Sequence, residues 1–401
     1  MEQVIIIGGG QAAASAARTL REQGFKGGIT ILSEERYYPY ERPPLSKAVL
    51  QGVADANSTC LLSDEAARSQ NIDVRLGQRA EAIERDTRMV KLSSGERLPY
   101  DRLLIATGSR ARTLDGAFAG KSNVFYLRSL DDAASLRAAM GPGKRVLSIG
   151  AGWIGLEVAA TARKMGMQAT VVELADRLCG RSLPKDVGAV LAEVHRDHGT
   201  VVHLNTSIES VGGRDRIETV TLSNGETLSV DMVVVGVGAI ANDALARDAG
   251  LETANGVVVD EFLRTSDPRI FAAGDVAALR LGDGRPVRME SWANAQDQAA
   301  AAARNMLGKD VPYAVNTWFW SDQYDLNIQM IGDVQPEGGT VLLRKGEGKA
   351  FTRFSVADGR LVGAICFGVP RDMAIVRRLM SKGYMVTDDA LTTAPDLRKL
   401  L

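Results

Sequence analysis

Two segments of this 401-residue chain each read as a short apolar strand, a glycine turn and a helix of small residues. The first is VIIIGGGQAAASAA, residues 4–17, and the second is VLSIGAGWIGLEVAA, residues 146–160. Glycine is needed in such a turn because the chain bends sharply, a pyrophosphate must approach the backbone, and the helix packs close to the strand. The helix N-terminus then offers N–H groups and a positive dipole to the phosphates. Two such segments predict two bound dinucleotides, with electron transfer between them.

The turn positions follow directly from this pattern. In the first segment Ala13 stands where a third glycine is common, whereas the second segment has all three glycines. The predicted phosphate-turn residues are Gly8, Gly10 and Ala13 in the first segment and Gly150, Gly152 and Gly155 in the second.

A glutamate follows the second apolar strand after each turn. Glu34 lies 26 positions after Gly8, and Glu173 lies 23 positions after Gly150. A carboxylate at this place accepts hydrogen bonds from an adenosine ribose diol and repels a 2′-phosphate, so Glu173 predicts NADH rather than NADPH. Arg177 is the opposing signal, because a basic residue accommodates that phosphate. The alternative for Glu34 is a solvent-exposed acid of the loop.

Composition excludes several classes of protein. The net charge of −1 argues against general binding of nucleic acid or of an anionic membrane surface. No apolar run reaches the roughly 18 residues that span a bilayer, and the first strand is too short for a signal peptide. Three widely spaced cysteines form no disulfide framework. We therefore expect a cytoplasmic protein.

Further motifs make the pattern specific: RPPLSK, ATG, GAGWIGLE, AAGD, ESWANAQ and FWSDQYDLNIQ. With them the chain resembles, over essentially its whole length, the FAD-dependent, NADH-using ferredoxin reductases of bacterial aromatic-ring dioxygenases and some cytochrome P450 systems. These belong to the glutathione-reductase-like flavoprotein superfamily. RPPLSK and the WFWSDQYDLNIQ stretch discriminate best, because the glycine motifs are common to the superfamily. One departure is Ala241-Asn242, where a proline is frequent, and we expect a local loop difference there.

The resemblance implies an α/β fold with two Rossmann-like domains and a C-terminal α+β domain. The FAD-binding domain would comprise residues 1–110 and 240–317, the NAD-binding domain residues 111–239, and the third domain residues 318–401. The order of glycine motif, acidic strand end, hairpins, apolar strand and glycine turn also occurs twice, which predicts an internal duplication.

The resemblance also implies the activity. Hydride passes from NADH to FAD, and single electrons then pass to a [2Fe–2S] ferredoxin with an acidic surface, which feeds an oxygenase. From Gln335 onward the chain carries 11 Lys and Arg against 7 Asp and Glu, a surplus that favours docking of an acidic partner. The sequence names neither the ferredoxin nor the final substrate.

The residues that would contact the flavin are likewise implied by the resemblance. Asp275 would hold the ribityl chain, and the helix after Trp292 would direct its positive end to the flavin pyrimidine ring. Lys47 would pair with Glu157 beside the flavin. A surface lysine and an ordinary helix cap are the alternatives for Lys47 and Asp275. The implied flavin contacts are Glu34, Arg42, Lys47, Ala80, Arg128, Asp275 and Trp292.

Trp320 would carry electrons out toward the ferredoxin. It matches the aromatic residue that the family places between the flavin and the bound ferredoxin, and we expect a nearly isolated indole. A large indole there shortens the electron path and anchors an interface. The alternative is that Trp318 or Trp320 packs the core of the third domain.

Other functions remain as alternatives. Disulfide reductases of the superfamily carry a CxxxxC pair and a C-terminal histidine base, whereas this chain has RPPLSK at the first place. Its histidines, His195, His198 and His203, all lie in the predicted NAD domain; we interpret the first two as a polar helix end rather than a zinc site. A second class is a peroxide, CoA-disulfide or monodehydroascorbate reductase. Cys60 is the only thiol near the flavin loop in sequence, and its position fits no known active-site cysteine. An apoptosis-inducing-factor-like flavoprotein shares YxRPPLSK, but we expect here none of its targeting segment, C-terminal insertion or basic surface.

Overall fold

The computed structural model describes residues 1–315, 317–386 and 389–401. The chain divides into two compact units, each assembled from three stretches. Unit 1 comprises Met1–Pro43, Asp55–Arg110 and Ala239–Thr317, and unit 2 comprises Pro44–Ala54, Ala111–Gly238 and Trp318–Leu401. The predicted bounds of the FAD, NAD and C-terminal domains stay a prediction.

The α-helices are, in chain order, α1 Gln11–Glu22, α2 Ala48–Gln51, α3 Asp64–Ser69, α4 Leu130–Ala139, α5 Trp153–Lys164, α6 Lys185–Asp197, α7 Ala244–Asp248, α8 Trp292–Met306, α9 Pro370–Ser381 and α10 Ala390–Thr393. Short 3₁₀ helices span Pro43–Ser46, Gly116–Phe118 and Leu397–Leu400. Within the described part of the chain, no helix is both long and apolar enough to cross a membrane.

The β-strands of the first 235 residues are β1 Gln3–Ile7, β2 Gly28–Leu32, β3 Ile72–Arg75, β4 Ala80–Glu84, β5 Met89–Leu92, β6 Arg97–Pro99, β7 Arg102–Ile105, β8 Ser109–Ala111, β9 Val124–Phe125, β10 Arg145–Ile149, β11 Gln168–Val172, β12 Val201–His203, β13 Ile208–Gly212, β14 Thr219–Leu222, β15 Thr227–Ser229 and β16 Met232–Val235. The later strands are β17 Ala239–Ala241, β18 Val257–Val259, β19 Ile270–Ala272, β20 Ala277–Arg280, β21 Pro286–Arg288, β22 Phe319–Gln323, β23 Leu326–Gly332, β24 Thr340–Lys345, β25 Phe351–Ala357 and β26 Arg360–Phe367.

The core of unit 1 is a parallel sheet with the strand order β19-β7-β1-β2-β3. Residues 4–7 of β1 are buried throughout, as expected for a strand covered on both faces. Helix α1 packs against α8. Both helices are rich in buried alanine, and such small side chains let two helix backbones approach closely.

Unit 2 repeats this topology with the strand order β12-β11-β10-β16-β9. Strands β10, β11, β12 and β16 take the places that β1, β2, β3 and β7 hold in unit 1. The outermost strand differs in origin, because β19 comes late in the chain whereas β9 precedes β10. Each unit also carries a smaller antiparallel sheet, β4-β5-β6 or β13-β14-β15. The prediction of two Rossmann-like α/β sheets is confirmed, and their common order supports a duplication.

The last part of unit 2 is built differently. An antiparallel sheet runs in the order β22-β23-β26-β25-β24, and α9 packs on β26. Phe354, Ala364 and Cys366 of the sheet are buried against Val376 and Leu379 of α9. The predicted C-terminal α+β arrangement is therefore confirmed.

Gly155 sets the distance between α5 and the turn that follows β10. A Cβ at this position would lie 2.3 Å from the backbone oxygen of Gly150 and 2.7 Å from Oγ of Ser148. Backbone of this kind cannot move aside independently, so a methyl group would push the helix away from the strand. Glycine is therefore required here for packing, as the motif predicts.

We expect Gly155→Ala to lower the free energy of unfolding by about 1–3 kcal/mol, the usual cost of overpacking. That corresponds to a fall in Tm of roughly 2–10 °C for a unit of this size. Thermal unfolding followed by circular dichroism measures the effect. Gly141→Ala is the matched control, because its Cβ would lie 3.8 Å from Cε of Lys144. Equal Tm values for the two variants would contradict the packing argument.

Candidate functional site

The first glycine turn brings β1 close to the end of β7. Gly8 has φ +126°, and a Cβ there would lie 2.1 Å from the backbone oxygen of Ala106. Gly10 is the N-cap of α1, and a Cβ there would meet no atom within 4 Å. Ala13 is fully buried. Glycine is therefore needed at Gly8, because a side chain there would collide with the backbone of Ala106. At Gly10 the missing side chain leaves open the space that a ligand phosphate requires.

The start of α1 is suited to an anion. Among the described residues, no side chain caps this helix, and its first turn carries no acidic residue. By contrast, the Ser129 side chain caps α4 and the Ser291 side chain caps α8. The first N–H groups of α1 thus remain for a ligand, which fits the pyrophosphate of a dinucleotide.

The second glycine turn has the same construction. Gly150 has φ +93°, and its Cβ would lie 2.6 Å from the backbone oxygen of Gly236. Gly152 is the N-cap of α5, which no side chain caps among the described residues. The same anion-binding geometry thus occurs in each parallel sheet.

The Asp275 turn in unit 1 lies against the starts of both α1 and α8. A Cβ on Gly274 would lie 3.2 Å from Cβ of Ala12 and 3.5 Å from Cβ of Ala295. The Asp275 carboxylate accepts a hydrogen bond from Ser109 at 2.9 Å. Helix α8 begins at Trp292, one residue before the predicted start. Unit 1 therefore brings together the first glycine turn, Asp275 and the helix that starts at Trp292.

The two glutamates after β2 have different surroundings. Glu34 is exposed and lies 3.5 Å from the equally exposed Arg79, a weak surface contact. Glu35 instead accepts hydrogen bonds from Tyr40 at 2.5 Å and from Arg42 at 2.6 Å. The Glu34 carboxylate therefore remains accessible to a ribose, whereas Glu35 orients Arg42. Sequence reasoning missed this role of Glu35.

Two further predicted flavin contacts lie on other elements. Ala80 begins β4 in unit 1. Arg128 immediately precedes the capping Ser129 of α4 in unit 2, and its backbone N–H donates to Asp132 at 3.0 Å. The flavin contacts of both residues stay predictions.

Glu173 reaches the second glycine turn. Its Oε2 accepts from the backbone N–H of Ala151 at 2.7 Å, and its Oε1 accepts from that of Ala175 at 2.8 Å. Arg177, the opposing signal, donates to the backbone oxygen of Gly180 at 3.1 Å and lies 3.5 Å from Asp176. Asp176 also pairs with Lys185 at 2.8 Å. The basic groups that would attract a 2′-phosphate are thus already held by an acidic neighbour.

The predicted ion pair of Lys47 and Glu157 is present in unit 2. Their charged atoms lie 2.6 Å apart, and the side chains are 17% and 3% exposed. The Glu157 carboxylate also accepts hydrogen bonds from the hydroxyls of Ser46 and Ser321, the latter at 2.6 Å. The pair is therefore buried, which disfavours the alternative of a surface lysine.

His195 lies in the last turn of α6, at the predicted helix end, but it is not at the protein surface. The side chain is fully buried, and its Nε2 lies 2.7 Å from Oε1 of Gln323. Gln323 in turn donates to Ser321 at 3.1 Å. Sequence reasoning missed Ser321 and Gln323, although their spacing of two along β22 places them on one face of the strand.

Trp320 is half-buried, and the prediction that its indole is nearly isolated is wrong. Its ring stacks on that of Trp318, with centroids 5.0 Å apart and an angle of 20° between the planes. Phe319, on the opposite face of β22, contacts Trp153 of α5 with centroids 4.9 Å apart. The strand thus separates an aromatic pair on one face from the packing against α5 on the other.

The thiols are poorly suited to chemistry. All three cysteines of the chain are free. Burial raises the pKa of Cys366 to about 12, and burial together with Glu157 and Glu173 raises the pKa of Cys179 well above its usual value. Neither thiol forms appreciable thiolate near neutral pH.

Asn242, at the departure from the family pattern, holds the adjoining turn. Its side chain donates to the backbone oxygen of Thr107 at 3.0 Å, and its backbone N–H donates to that of Gly108 at 3.0 Å. Thr107 returns a hydrogen bond to the backbone oxygen of Asn242 at 2.8 Å. Asn242, directly after β17, thus links the end of this strand to the ATG turn at Thr107 and Gly108.

Comparison with known proteins agrees with this architecture. Residues 2–299 match the family model described as pyridine nucleotide-disulphide oxidoreductase, and residues 318–401 match the model described as reductase C-terminal. The ferredoxin reductase for the CYP199A2 system from Rhodopseudomonas palustris is 37% identical with a TM-score of 0.94, over 100% of this chain and 99% of that chain.

Two further structures are similar. The putidaredoxin reductase of a covalent complex with putidaredoxin is 35% identical with a TM-score of 0.93, over 100% of this chain and 98% of that chain. A NAD-dependent persulfide reductase from A. fulgidus, 24% identical with a TM-score of 0.85 over 96% of this chain and 77% of that chain, shares the fold. The resemblance drawn from RPPLSK and WFWSDQYDLNIQ is confirmed. The chain belongs to the pyridine nucleotide-disulphide oxidoreductase family.

Proposed function

We propose that this protein takes hydride from NADH onto FAD and passes single electrons to a [2Fe–2S] ferredoxin that supplies an oxygenase. The observation that carries the proposal is the pair of glycine turns, one in each parallel sheet and each at the uncapped start of a helix. Bound FAD supplies the ability to accept two electrons together and release them singly. Similarity to two ferredoxin reductases, at 35% and 37% identity, supports the choice of partner.

The residues of unit 1 fit FAD. Gly10 leaves space beside the start of α1 for the pyrophosphate, and Glu34 has an accessible carboxylate for the adenosine ribose. Asp275 follows Gly274, which packs against the starts of α1 and α8. Its carboxylate accepts a hydrogen bond from the Ser109 hydroxyl and is suited to a ribityl hydroxyl. The positive end of α8 at Trp292 is suited to the negative charge that arrives with electrons.

We assign the nicotinamide nucleotide to the second glycine turn, in unit 2. Gly152 and the start of α5 would bind its pyrophosphate, and Glu173 its adenosine ribose. Lys47 would balance the negative charge that flavin reduction brings, and Glu157 would orient the lysine.

The alternatives have less support. A peroxide, CoA-disulfide or monodehydroascorbate reductase acting through a thiol would need a reactive cysteine, but Cys179 and Cys366 are buried thiols with raised pKa values. Cys60 begins no pair of cysteines spaced for a redox-active disulfide. The similarity to ferredoxin reductases over the whole chain also favours the main proposal over an apoptosis-inducing-factor-like protein.

The direct test measures cofactor and acceptor separately. We expect the purified protein to be yellow and to release FAD on denaturation, because FAD is held without a covalent bond. NADH oxidation should be slow alone and should accelerate when a [2Fe–2S] ferredoxin is added. If the protein is colourless and cannot be reconstituted with FAD, the proposal is wrong. If it binds FAD but no [2Fe–2S] ferredoxin accelerates NADH oxidation, the proposed electron acceptor is wrong.

Glu173→Ala should shift the preference between NADH and NADPH. Loss of the carboxylate removes a contact to the ribose diol and relieves repulsion of a 2′-phosphate, so the ratio of kcat/KM values should change by roughly 1–3 kcal/mol. The exposed Glu209, on β13 of the same unit, gives the matched control Glu209→Ala. If both variants keep the wild-type ratio, another residue sets the choice.

Trp320→Ala should separate the two halves of the reaction. Reduction of ferricyanide by NADH should survive, whereas kcat/KM for ferredoxin reduction should fall at least about tenfold, since a tryptophan anchor typically contributes 2 kcal/mol or more. Trp318→Ala removes the stacking partner and should have the smaller effect. If Trp320→Ala lowers both activities together with Tm, the indole is a packing residue and electrons leave elsewhere.

A further inference from the structure

A continuous buried hydrogen-bond chain in unit 2 ends on the carboxylate of Glu157. It joins α6 and the turn after it to β22 and then to α5. Its members, in order, are Thr200, Tyr324, His195, Gln323, Ser321 and Glu157. All but Tyr324 are at most 3% exposed, and Tyr324 is also buried.

The carboxylate determines the direction of the near half of this chain. A carboxylate only accepts hydrogen bonds, so the Ser321 hydroxyl donates to Glu157 at 2.6 Å. Its oxygen then accepts from the amide NH₂ of Gln323 at 3.1 Å. The amide oxygen of Gln323 consequently faces Nε2 of His195, at 2.7 Å.

The far half follows from this order. Because an amide oxygen only accepts, Nε2 of His195 must carry the ring hydrogen, which leaves Nδ1 as an acceptor. The Tyr324 hydroxyl, 3.2 Å from Nδ1, then donates to it, and the Thr200 hydroxyl donates to Tyr324 at 2.8 Å. Burial lowers the pKa of His195 to about 4, so the ring is neutral, as this arrangement requires.

The chain ends where the Lys47–Glu157 pair needs support. The Lys47 side chain has a flexible four-carbon stem. Its ammonium group pairs with Oε2 of Glu157, which also accepts a hydrogen bond from the Ser46 hydroxyl. Ser321 is the donor to the other oxygen, Oε1. Hydrogen bonds to an ionised group are stronger than neutral ones, and aligned donors polarise one another. Without Ser321, the buried carboxylate can rotate and draw Lys47 with it.

We propose that Ser321, Gln323 and His195 are positioning residues that hold the Glu157 carboxylate, and through it Lys47, in the arrangement required for flavin reduction by NADH. This inference rests on the proposed function for the reaction that Lys47 serves. The hydrogen-bond order itself depends only on the residues of unit 2.

The first test reads the tautomer of His195 by NMR of the FAD-loaded protein labelled with ¹⁵N-histidine. The chain has three histidines, and His198→Gln and His203→Gln assign the other two signals. We expect His195 to be neutral at pH 7 with its hydrogen on Nε2. If the wild-type His195 ring carries its hydrogen on Nδ1, or is charged, the proposed order of donors and acceptors is wrong, and no variant is needed to show this.

Glu157→Gln should reverse the direction of the hydrogen bonds between residue 157 and His195. The new amide keeps its oxygen toward Lys47, which only donates, so its NH₂ group faces Ser321. Ser321 then accepts from that NH₂ group and donates its hydroxyl hydrogen to the amide oxygen of Gln323, because a buried donor without an acceptor is costly. The Gln323 amide thereby turns its NH₂ group toward His195. The ring hydrogen consequently moves from Nε2 to Nδ1, although the mutated residue does not touch the ring. A general packing defect produces no such exchange, and a histidine that keeps its wild-type tautomer contradicts the coupling.

The second test follows flavin reduction by NADH in a stopped-flow instrument. Ser321→Ala should lower the rate constant at saturating NADH by roughly 10- to 100-fold, the loss expected for a hydrogen bond to a charged group. The NADH concentration for half-maximal rate should change little. Lys47→Ala gives the benchmark, because it removes the group that the network positions.

Ser355→Ala is the matched control for Ser321→Ala. Both serines are fully buried in the same antiparallel sheet, but Ser355 bonds Arg353 and the backbone of Val334 rather than Glu157. We expect Ser355→Ala to keep the wild-type rate. Equal slowing in both variants, or none in Ser321→Ala, refutes the positioning role. Neither test uses a ferredoxin, so failure of the proposed acceptor is seen separately, in the ferredoxin assay.

Discussion

The buried carboxylate of Glu157 is the constraint on which unit 2 depends. A charge withdrawn from water costs several kcal/mol unless nearby groups compensate for the lost hydration. Compensation comes from Ser46 and Lys47 on one stretch of chain and from Ser321 on another, 111 and 164 positions away for the two serines. No segment near Glu157 in sequence supplies these donors. The burial of one acidic side chain in α5 thus requires two other, distant stretches of chain to assemble around it.

The parts of the molecule that sequence predicts well are those governed by local sterics. Gly8, Gly150 and Gly155 are required by backbone atoms that lie close to them whatever side chains surround the turn. The strands of both parallel sheets read as apolar runs because both faces are covered. The repeated order of motifs along the chain accordingly predicts the repeated order of strands.

The parts that sequence predicts poorly depend on which distant segments meet. The spacing of His195 and His198 describes one helix and carries no information about Gln323 or Tyr324, so burial of His195 was missed. Trp320 was also expected to be isolated, but Trp318, which immediately precedes β22 and lies two positions before Trp320, stacks on it. The Lys47–Glu157 pair was anticipated only through resemblance to a family, because no local pattern relates residues so far apart.

The two Rossmann-like sheets differ in how their acidic strand ends are used. Glu34 is exposed and only weakly paired, whereas Glu173 is bound to the backbone of its own glycine turn. Glu173 therefore holds the backbone of the second glycine turn through Ala151 and Ala175. The two sheets thus carry an acidic residue at the same place in the motif, but only the second sheet uses it to brace its own turn.

Strand β22 has a consequence for which changes its sequence tolerates. Phe319, Ser321 and Gln323 point to α5 and the polar chain, while Trp320 lies on the opposite face beside Trp318. Because side chains alternate along a strand, inserting one residue between Phe319 and Trp320 exchanges the two faces beyond that point. Such an event would turn Ser321 away from Glu157 and bury Trp320 in its place. The contacts on the two faces of β22 therefore depend on the length of the strand as well as on its side chains.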